Sequence, residues 1–416
     1  QRGFDRFYGI LNGLGSFYDP VTLLDGDRFI RADSPDYYFT DAMTDKALEM
    51  LKETASSHPE SPFFLYLAYT APHWPLHARE EDIAKYDGAY RKGWDYIRTA
   101  RHESAKAARI LDSRWPISPR DEDAPPWPEI PDKDWEAMKM AVYAAQVDSM
   151  DRNIGRILDH LRASGLEENT LVLFLSDNGG CAEFLQEEPG KPDPSIWGAR
   201  TRDGRPMRIG NIPGLMPGPE DTFMTYDLPW TNVSNTPFRL FKHWVHEGGI
   251  STPCIASWPG VITSPSISHE AAQLVDITAT IIDAAGTDYP RERSGHAVPS
   301  LEGESFLRLL QGGKWSKQKP MVWEHEGNRA IRFGDWKLVA ECGKDWELYN
   351  MLDDRTELKD LSGKSPGRVA ELTALYEDWS GRCGVLPWPP KSGETILKMR
   401  GRHIHLSYHR GRAFYP

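Results

Sequence analysis

The sequence predicts an α/β protein: a mostly parallel central sheet sandwiched by helices, followed by a small C-terminal antiparallel sheet with one packing helix. Three observations carry this. Two apolar runs, "PFFLYLAYTAP" at 62–72 and "TLVLFL" at 170–175, lack the polar alternation of a one-sided strand and read as buried on both faces. Helical periodicity lies between and after them, so strand and helix alternate through the first predicted domain, 1–318. Beyond it come short strand-like pieces separated by turn residues, the mark of a second, antiparallel unit at 319–390.

The bulk numbers agree. With 39 % hydrophobic and 26 % charged residues the chain has ordinary globular usage, and 15 Trp and 32 Pro favour a loop-rich α/β protein over a helical bundle. A formal net charge of −12 argues against a nucleic-acid surface over the body of the protein. No run approaches the roughly 18 apolar residues of a membrane span. Cys181, Cys254, Cys342 and Cys383 show neither a Cys-x-x-Cys pair nor a zinc spacing.

Taken in order, the opening "QRGFDRFYGI" has no initiator Met, basic n-region or apolar h-region, and reads like the middle of a protein. The run at 62–72 closes at Pro72, with His73 at its carboxyl end. From 82 to 135 the chain is polar and Pro-rich in places ("RDEDAPPWPEIPD"), a surface excursion of the kind that forms lids or substrate walls. A helix is expected over 135–164, with Tyr143, Val147, Met150, Ile154, Ile157 and Leu161 on one face and Gly165 past its end. The strand at 170–175 follows. A second loop region covers 183–236. The segment "FKHWVHEGG" then leads into an apolar strand at 254–258, and 276–285 reads as a helix ended by Gly286. In the last unit "MVWEH", "RAIRF", "WKLVAE" and "WELYN" are strands, and Val369, Leu372, Leu375 and Trp379 mark the packing helix. The tail, 391–416, is basic and aromatic. It is either a patch for an anionic partner or a solvated terminus.

Four residues are candidates for chemistry. Asp177 and Asn178 follow the strand at 170–175 and offer two hard oxygen donors, suited to Ca²⁺ or Mg²⁺ rather than a soft metal. Taken alone, Asp-Asn-Gly is more often a turn, and Asn178-Gly179 is also a hairpin signal. His73 can bind an anion or protonate a leaving oxygen, or be a structural histidine. Lys242 can clamp an oxyanion, or be a solvated surface residue. His246 is open to substrate contact or packing, and Gly248-Gly249 suits a tight backbone turn. Trp94, Trp115, Trp127, Trp197 and Trp230 suit sugar stacking and core packing equally.

Seven segments, "RGFDRFYG", "PFFLYLAYTAPHWPLHA", "YAAQVDSMDRNIGRIL", "TLVLFLSDNGG", "NTPFRLFKHWVHEGGISTPCIASWPG", "VDITATIIDAAG" and "WELYNMLDDRTELKDLS", stand in the order of their counterparts in formylglycine-dependent sulfatases. From Arg2 to about Pro387 the chain resembles the arylsulfatase-like members of the alkaline phosphatase superfamily. The resemblance implies that Asp177 and Asn178 are two Ca²⁺ ligands, with Mg²⁺ the lesser alternative, and that His73 and Lys242 contact the sulfate and its bridging oxygen. It also implies a sulfated small molecule or sulfated glycan as substrate and an exported location.

Two family elements are missing. The nucleophile is made from Cys or Ser in Cys/Ser-x-Pro-x-Arg. The Pro-x-Arg part occurs at Pro206, Pro237 and Pro366, but Gly204, Asn235 and Lys364 stand two places before. A paired-aspartate metal motif occurs only as Asp353-Asp354, in the C-terminal unit. The expectation is a sulfatase lacking its N-terminal portion, with an incomplete metal site, an exposed sheet edge and no turnover. The alternatives are a phosphomonoesterase or phosphodiesterase of the same superfamily, and a non-catalytic sulfatase-fold binding protein.

Overall fold

The computed structural model of the chain describes residues 3–32, 34–187, 198, 200–262 and 264–388, and the backbone of 407–409 and 412–414. The 31-residue helix Lys133–Ala163 organises the larger part. It begins where the Asp132 carboxylate accepts the Trp135 N–H at 3.0 Å, and His160 and Arg162 sit in its last turn, where the helix dipole favours cations. Gly165 follows with φ +68. One face buries Met140, Val142 and Ala145 against Trp94, Trp127 and Trp230. The other takes the helix Phe39–Ser57, with Asn153 donating to Asp41 at 2.6 Å and Arg156 paired with Asp45.

Trp94, Trp127 and Trp230 meet edge to face with ring centroids 4.7–6.1 Å apart, a geometry aromatic quadrupoles favour. Trp115 is buried as well. These four are core residues; Trp197 lies outside the described residues. Asn232, which opens an Asn-x-Ser sequon, is also buried in the helix Asp227–Ser234.

Among the described residues the expected parallel central sheet does not form. Strand Val172–Leu175 pairs antiparallel with Cys254–Ser257, Val172 opposite Ser257 and Leu175 opposite Cys254. Among the described residues, parallel pairing is confined to Arg208–Ile209 with Thr222–Phe223 and a single bridge between His77 and Gly218. Nor is the strand buried on both faces: Val172, Leu173 and Leu175 are half-buried and Phe174 is exposed, so the apolar run reports neither full coverage nor the direction of its neighbour. The long connection from 175 to 254 permits either direction.

The run at 62–72 also departs from expectation. It is extended but pairs with no strand among the described residues. Its side chains alternate: Leu65, Leu67 and Tyr69 are half-buried, and the last two pack with the cluster around Phe17, Tyr38 and Phe39, whereas Phe64 and Tyr66 are 61 % and 72 % exposed. An unpaired extended segment with exposed aromatics is a template for strand addition. The chain is therefore expected to self-associate in a concentration-dependent way, and Phe64→Lys with Tyr66→Lys to suppress it. Sedimentation velocity showing a concentration-independent monomer before mutation would defeat this expectation.

The C-terminal unit forms as the strand signals predict. Met321–His325, Asn328–Phe333, Trp336–Ala340 and Glu347–Asn350 make an antiparallel sheet in sequence order. Glu326 and Gly327, at φ +54 and +78, form the tight turn of the first hairpin, both central residues at positive φ as a type I′ turn requires. Helix Pro366–Cys383 lays Leu372 and Tyr376 on Ile331, Leu338 and Leu348, and ends at Gly384 in the left-handed conformation. The tail 391–416 lies outside the described residues apart from the paired backbone of Ser407–His409 and Arg412–Phe414.

Candidate active site

Strand Val172–Leu175 delivers its tip, Asp177 to Gly180, onto the loop that carries Lys242. The docking runs through backbone: Gly179 N–H donates to Gly249 O at 2.9 Å, and Lys242 N–H to Gly180 O at 3.0 Å. Asn235 clamps both sides, accepting from Gly180 N–H at 2.8 Å and donating to Leu240 O and Gly248 O, each at 2.9 Å. Only glycine fits the seam. A Cβ on Gly179 would lie 1.8 Å from Gly248 O, and one on Gly249 1.9 Å from Trp244 O. Asn178-Gly179 is thus no hairpin turn, and Gly248-Gly249 serves the tight backbone approach.

His73 and Lys242 meet across this seam, with 3.4 Å between His73 Nε2 and Lys242 Nζ. His73 Nδ1 lies 2.8 Å from Trp74 O. A carbonyl only accepts, so Nδ1 carries the hydrogen and Nε2 presents its lone pair to the site. Burial, then the Lys242 charge, lowers the His73 pKa, which keeps the ring neutral at neutral pH.

Asp177 is exposed and, among the described residues, makes no hydrogen bond or ion pair with its side chain. Its charge still reaches His73, where it partly opposes the lowering. Asn178 spends its amide N–H on Gly179 O at 2.8 Å, leaving its carbonyl oxygen as a donor to a cation. Two free hard oxygens on one strand tip fit part of a Ca²⁺ shell, which takes six to eight.

Two residues that sequence reasoning missed complete the cluster. Glu183 is buried, accepts the Trp74 indole N–H at 2.6 Å, and lies 3.3 Å from His243 Nε2 and 4.0 Å from Lys242 Nζ. Burial alone would raise its pKa; the His243 hydrogen bond and the Lys242 charge outweigh that and hold it at about 2. Burial would lower the pKa of His243, but its hydrogen bonds to Glu183 and Glu326 bring it up to about 9. The only local signals were a Glu six residues after Asp177 and a His next to Lys242. Cys181, whose thiol burial pushes well above its ordinary range, stays protonated beside them. His246 is fully buried, 3.3 Å from Glu347, and has the packing role.

A cavity of about 310 Å³ opens beside Lys242 and His243. Trp94, Asp123 and Pro125 come from one predicted excursion, and Glu183, Phe184 and Asp227 from the other. The two long loop regions therefore face each other across this cavity, which Lys242 lines and His73, Asp177 and Asn178 do not.

Comparison with known proteins converges on one family. Residues 1–287 match the family described as sulfatase, and 238–375 match the C-terminal region of N-sulphoglucosamine sulphohydrolase. An uncharacterized sulfatase of Schizosaccharomyces pombe is 30 % identical over 94 % of this chain and 72 % of its own length. An arylsulfatase of Klebsiella aerogenes is 29 % identical, and the match covers 74 % of this chain and 66 % of that enzyme; for the N-acetylgalactosamine-6-sulfatase of Mus musculus the figures are 24 %, 56 % and 36 %. The solved structure of Ps i-CgsB aligns with TM-score 0.60 at 20 % identity over 96 % of this chain and 72 % of that one. A structure bound to its substrate D-glucosamine-2-N,6-O-disulfate aligns with TM-score 0.55 at 19 % identity over 91 % and 76 %. With a strand tip, a glycine seam and a Lys–His pair assembled from the segments that carry the resemblance, the chain belongs to the sulfatase family.

Proposed function

We propose that the chain carries part of the site of a sulfuric ester hydrolase, which acts on a sulfated small molecule or sulfated glycan to release an alcohol or phenol and sulfate. The observation that carries this reading is the 3.4 Å approach of Lys242 and His73 at the edge of the 310 Å³ cavity, next to the Asp177-Asn178 tip. Lys242 supplies fixed positive charge and N–H donors where negative charge develops on the bridging oxygen. His73, oriented by Trp74 O, turns Nε2 to the same point and can exchange a proton there with Lys242 or with the leaving oxygen. Glu183 restrains His243 and Lys242 from behind. Asp177 and Asn178 would hold Ca²⁺, which when bound supplies further positive charge to the sulfuryl oxygens.

The family's formylglycine has no place among these residues. None of the three Pro-x-Arg sites is preceded by Cys or Ser at the required position, and Cys181 is a half-buried cysteine outside such a motif. No nucleophilic step is assigned, and the 416-residue chain by itself is proposed to be inactive. The division into 1–318, 319–390 and 391–416, and export from the cytoplasm, belong to the same reading. No helix among the described residues is long and apolar enough to cross a membrane.

Calorimetric titration with sulfate tests the anion site without needing turnover. Lys242→Ala is expected to weaken sulfate binding by at least about tenfold, the order of one charge-assisted contact. Sulfate binding left unchanged by Lys242→Ala and by His73→Ala would remove both residues from the site. Hydrolysis of an aryl sulfate by this chain would refute its inactivity, and faster hydrolysis of the matched phosphate ester would favour the phosphatase alternative.

A further inference from the structure

We propose that His243, His325 and Glu326 form a binding site for a zinc-class divalent cation, separate from the hard-oxygen pair at Asp177 and Asn178. One ligand atom from each of the three lies within 4.8 Å of the other two. His243 Nδ1 and Glu326 Oε2 are 3.1 Å apart. That is close to the edge of a tetrahedron with bonds of about 2.0–2.1 Å. Two imidazoles and a carboxylate suit zinc, copper or nickel, where the oxygens of Asp177 and Asn178 suit calcium.

The surroundings of His243 strengthen the assignment. Its far nitrogen, Nε2, lies 3.3 Å from the Glu183 carboxylate. A carboxylate on the far ring nitrogen is the usual companion of a metal-ligating histidine. In the metal-free chain Nδ1 also donates to Glu326, and the cation would take the place of that proton. Both positive-φ members are accounted for by turns, Glu326 (φ +54) by the hairpin and His243 (φ +89) by the turn in which Trp244 N–H donates to Phe241 O at 3.1 Å.

The site has an entrance and an open position. His325 is exposed and stacks on His243 with ring centroids 5.8 Å apart, so a small rotation brings its imidazole to a cation arriving from solvent. Asn328 donates to His243 O at 3.0 Å, which already ties the hairpin to the Lys242 loop. Three protein ligands leave a fourth place for water. The neighbouring group of His73, Cys181 and Glu183 is a poorer candidate, since Lys242 Nζ stands 3.4 Å from His73 and 4.0 Å from Glu183 and already supplies the positive charge.

The test is titration of zinc chloride into the chelator-treated 416-residue chain, read by calorimetry, by metal content after desalting, and by Tm. One zinc per chain and a higher Tm are expected. His325→Ala and Glu326→Gln should each weaken binding by about tenfold or more. Asp177→Ala should leave it unchanged. Circular dichroism checks that each variant is folded; His325 is exposed, so its substitution removes little packing. Retention of no zinc, or binding unaltered in both His325→Ala and Glu326→Gln, would overturn the proposal, as would loss of binding in Asp177→Ala. None of these outcomes depends on sulfate-ester chemistry.

Discussion

Lys337→Met is expected to destabilise the fold by about 3–5 kcal/mol, the range for removing one partner from a buried ion pair. Lys337 lies on strand Trp336–Ala340 with a fully buried side chain, its Nζ 2.9 Å from Glu247 and 2.7 Å from Glu357. Arg355 also reaches Glu247, at 3.2 Å, and Glu357 accepts the Glu247 backbone N–H at 2.9 Å. Glu247 starts the short helix Glu247–Ile250, just after the Lys242 loop, so this cluster fastens the C-terminal sheet to the segment bearing the site. Methionine keeps most of the volume, and the loss therefore reports two stranded carboxylates rather than a cavity.

Acid provides an independent reading of the same cluster. Burial would raise the pKa of Glu247, but the Lys337 and Arg355 charges prevail and hold it at about 2. A carboxylate depressed in the folded state contributes stability that is complete above its ordinary pKa, about 4.5, and is lost as pH falls through the folded value. In Lys337→Met the acid-unfolding midpoint should therefore move to higher pH. Urea unfolding followed by circular dichroism gives the first number. A loss under about 1 kcal/mol would mean that water or Arg355 compensates the carboxylates.

The C-terminal sheet was legible because its signals are local: short β-branched and aromatic runs, turn residues between them, and a helix with one apolar face. The long helix was legible for the same reason, but its buried face was not: of the residues named for it only Leu161 is buried, Tyr143, Val147, Met150, Ile154 and Ile157 being half-buried, while Met140, Val142 and Ala145 are buried against the tryptophans. Strand direction was not, because an apolar run such as "TLVLFL" says nothing of its neighbour's direction, and the partner at Cys254–Ser257 lies far along the chain; nor are both faces covered, since Phe174 is exposed. "PFFLYLAYTAP" shows the reverse limit: its composition is that of a buried strand, but Phe64 and Tyr66 face solvent because no neighbour covers them among the described residues. At the site, Asp177, Asn178, His73 and Lys242 were found as segments of a resemblance. Glu183, Glu247 and Lys337 were not, since a charged residue destined for burial looks like a solvated one until its partner is in place.

The glycine seam carries the second large effect. Gly179→Ala is expected to cost about 1–3 kcal/mol as an overpacked core does. It should also weaken sulfate binding by at least about tenfold, because a misplacement of about 1 Å at a positioned group can cost a hundredfold. The added Cβ would sit 1.8 Å from Gly248 O and 3.3 Å from the Gly249 Cα, both backbone, so no side chain can swing aside. Either the strand tip or the Lys242 loop must retreat by more than an ångström, and the Gly179 N–H to Gly249 O bond goes with it. Lys242 N–H hangs on the adjacent Gly180 O, so its ammonium is displaced from His73. Gly155→Ala is the control: it lies in the helix Lys133–Ala163 with nothing within 4 Å of the new Cβ, and should stabilise by roughly 0.5–1 kcal/mol. If Gly179→Ala binds sulfate as the parent chain does while Gly155→Ala behaves as stated, the seam does not position Lys242, and the anion site must be held by its side-chain contacts alone.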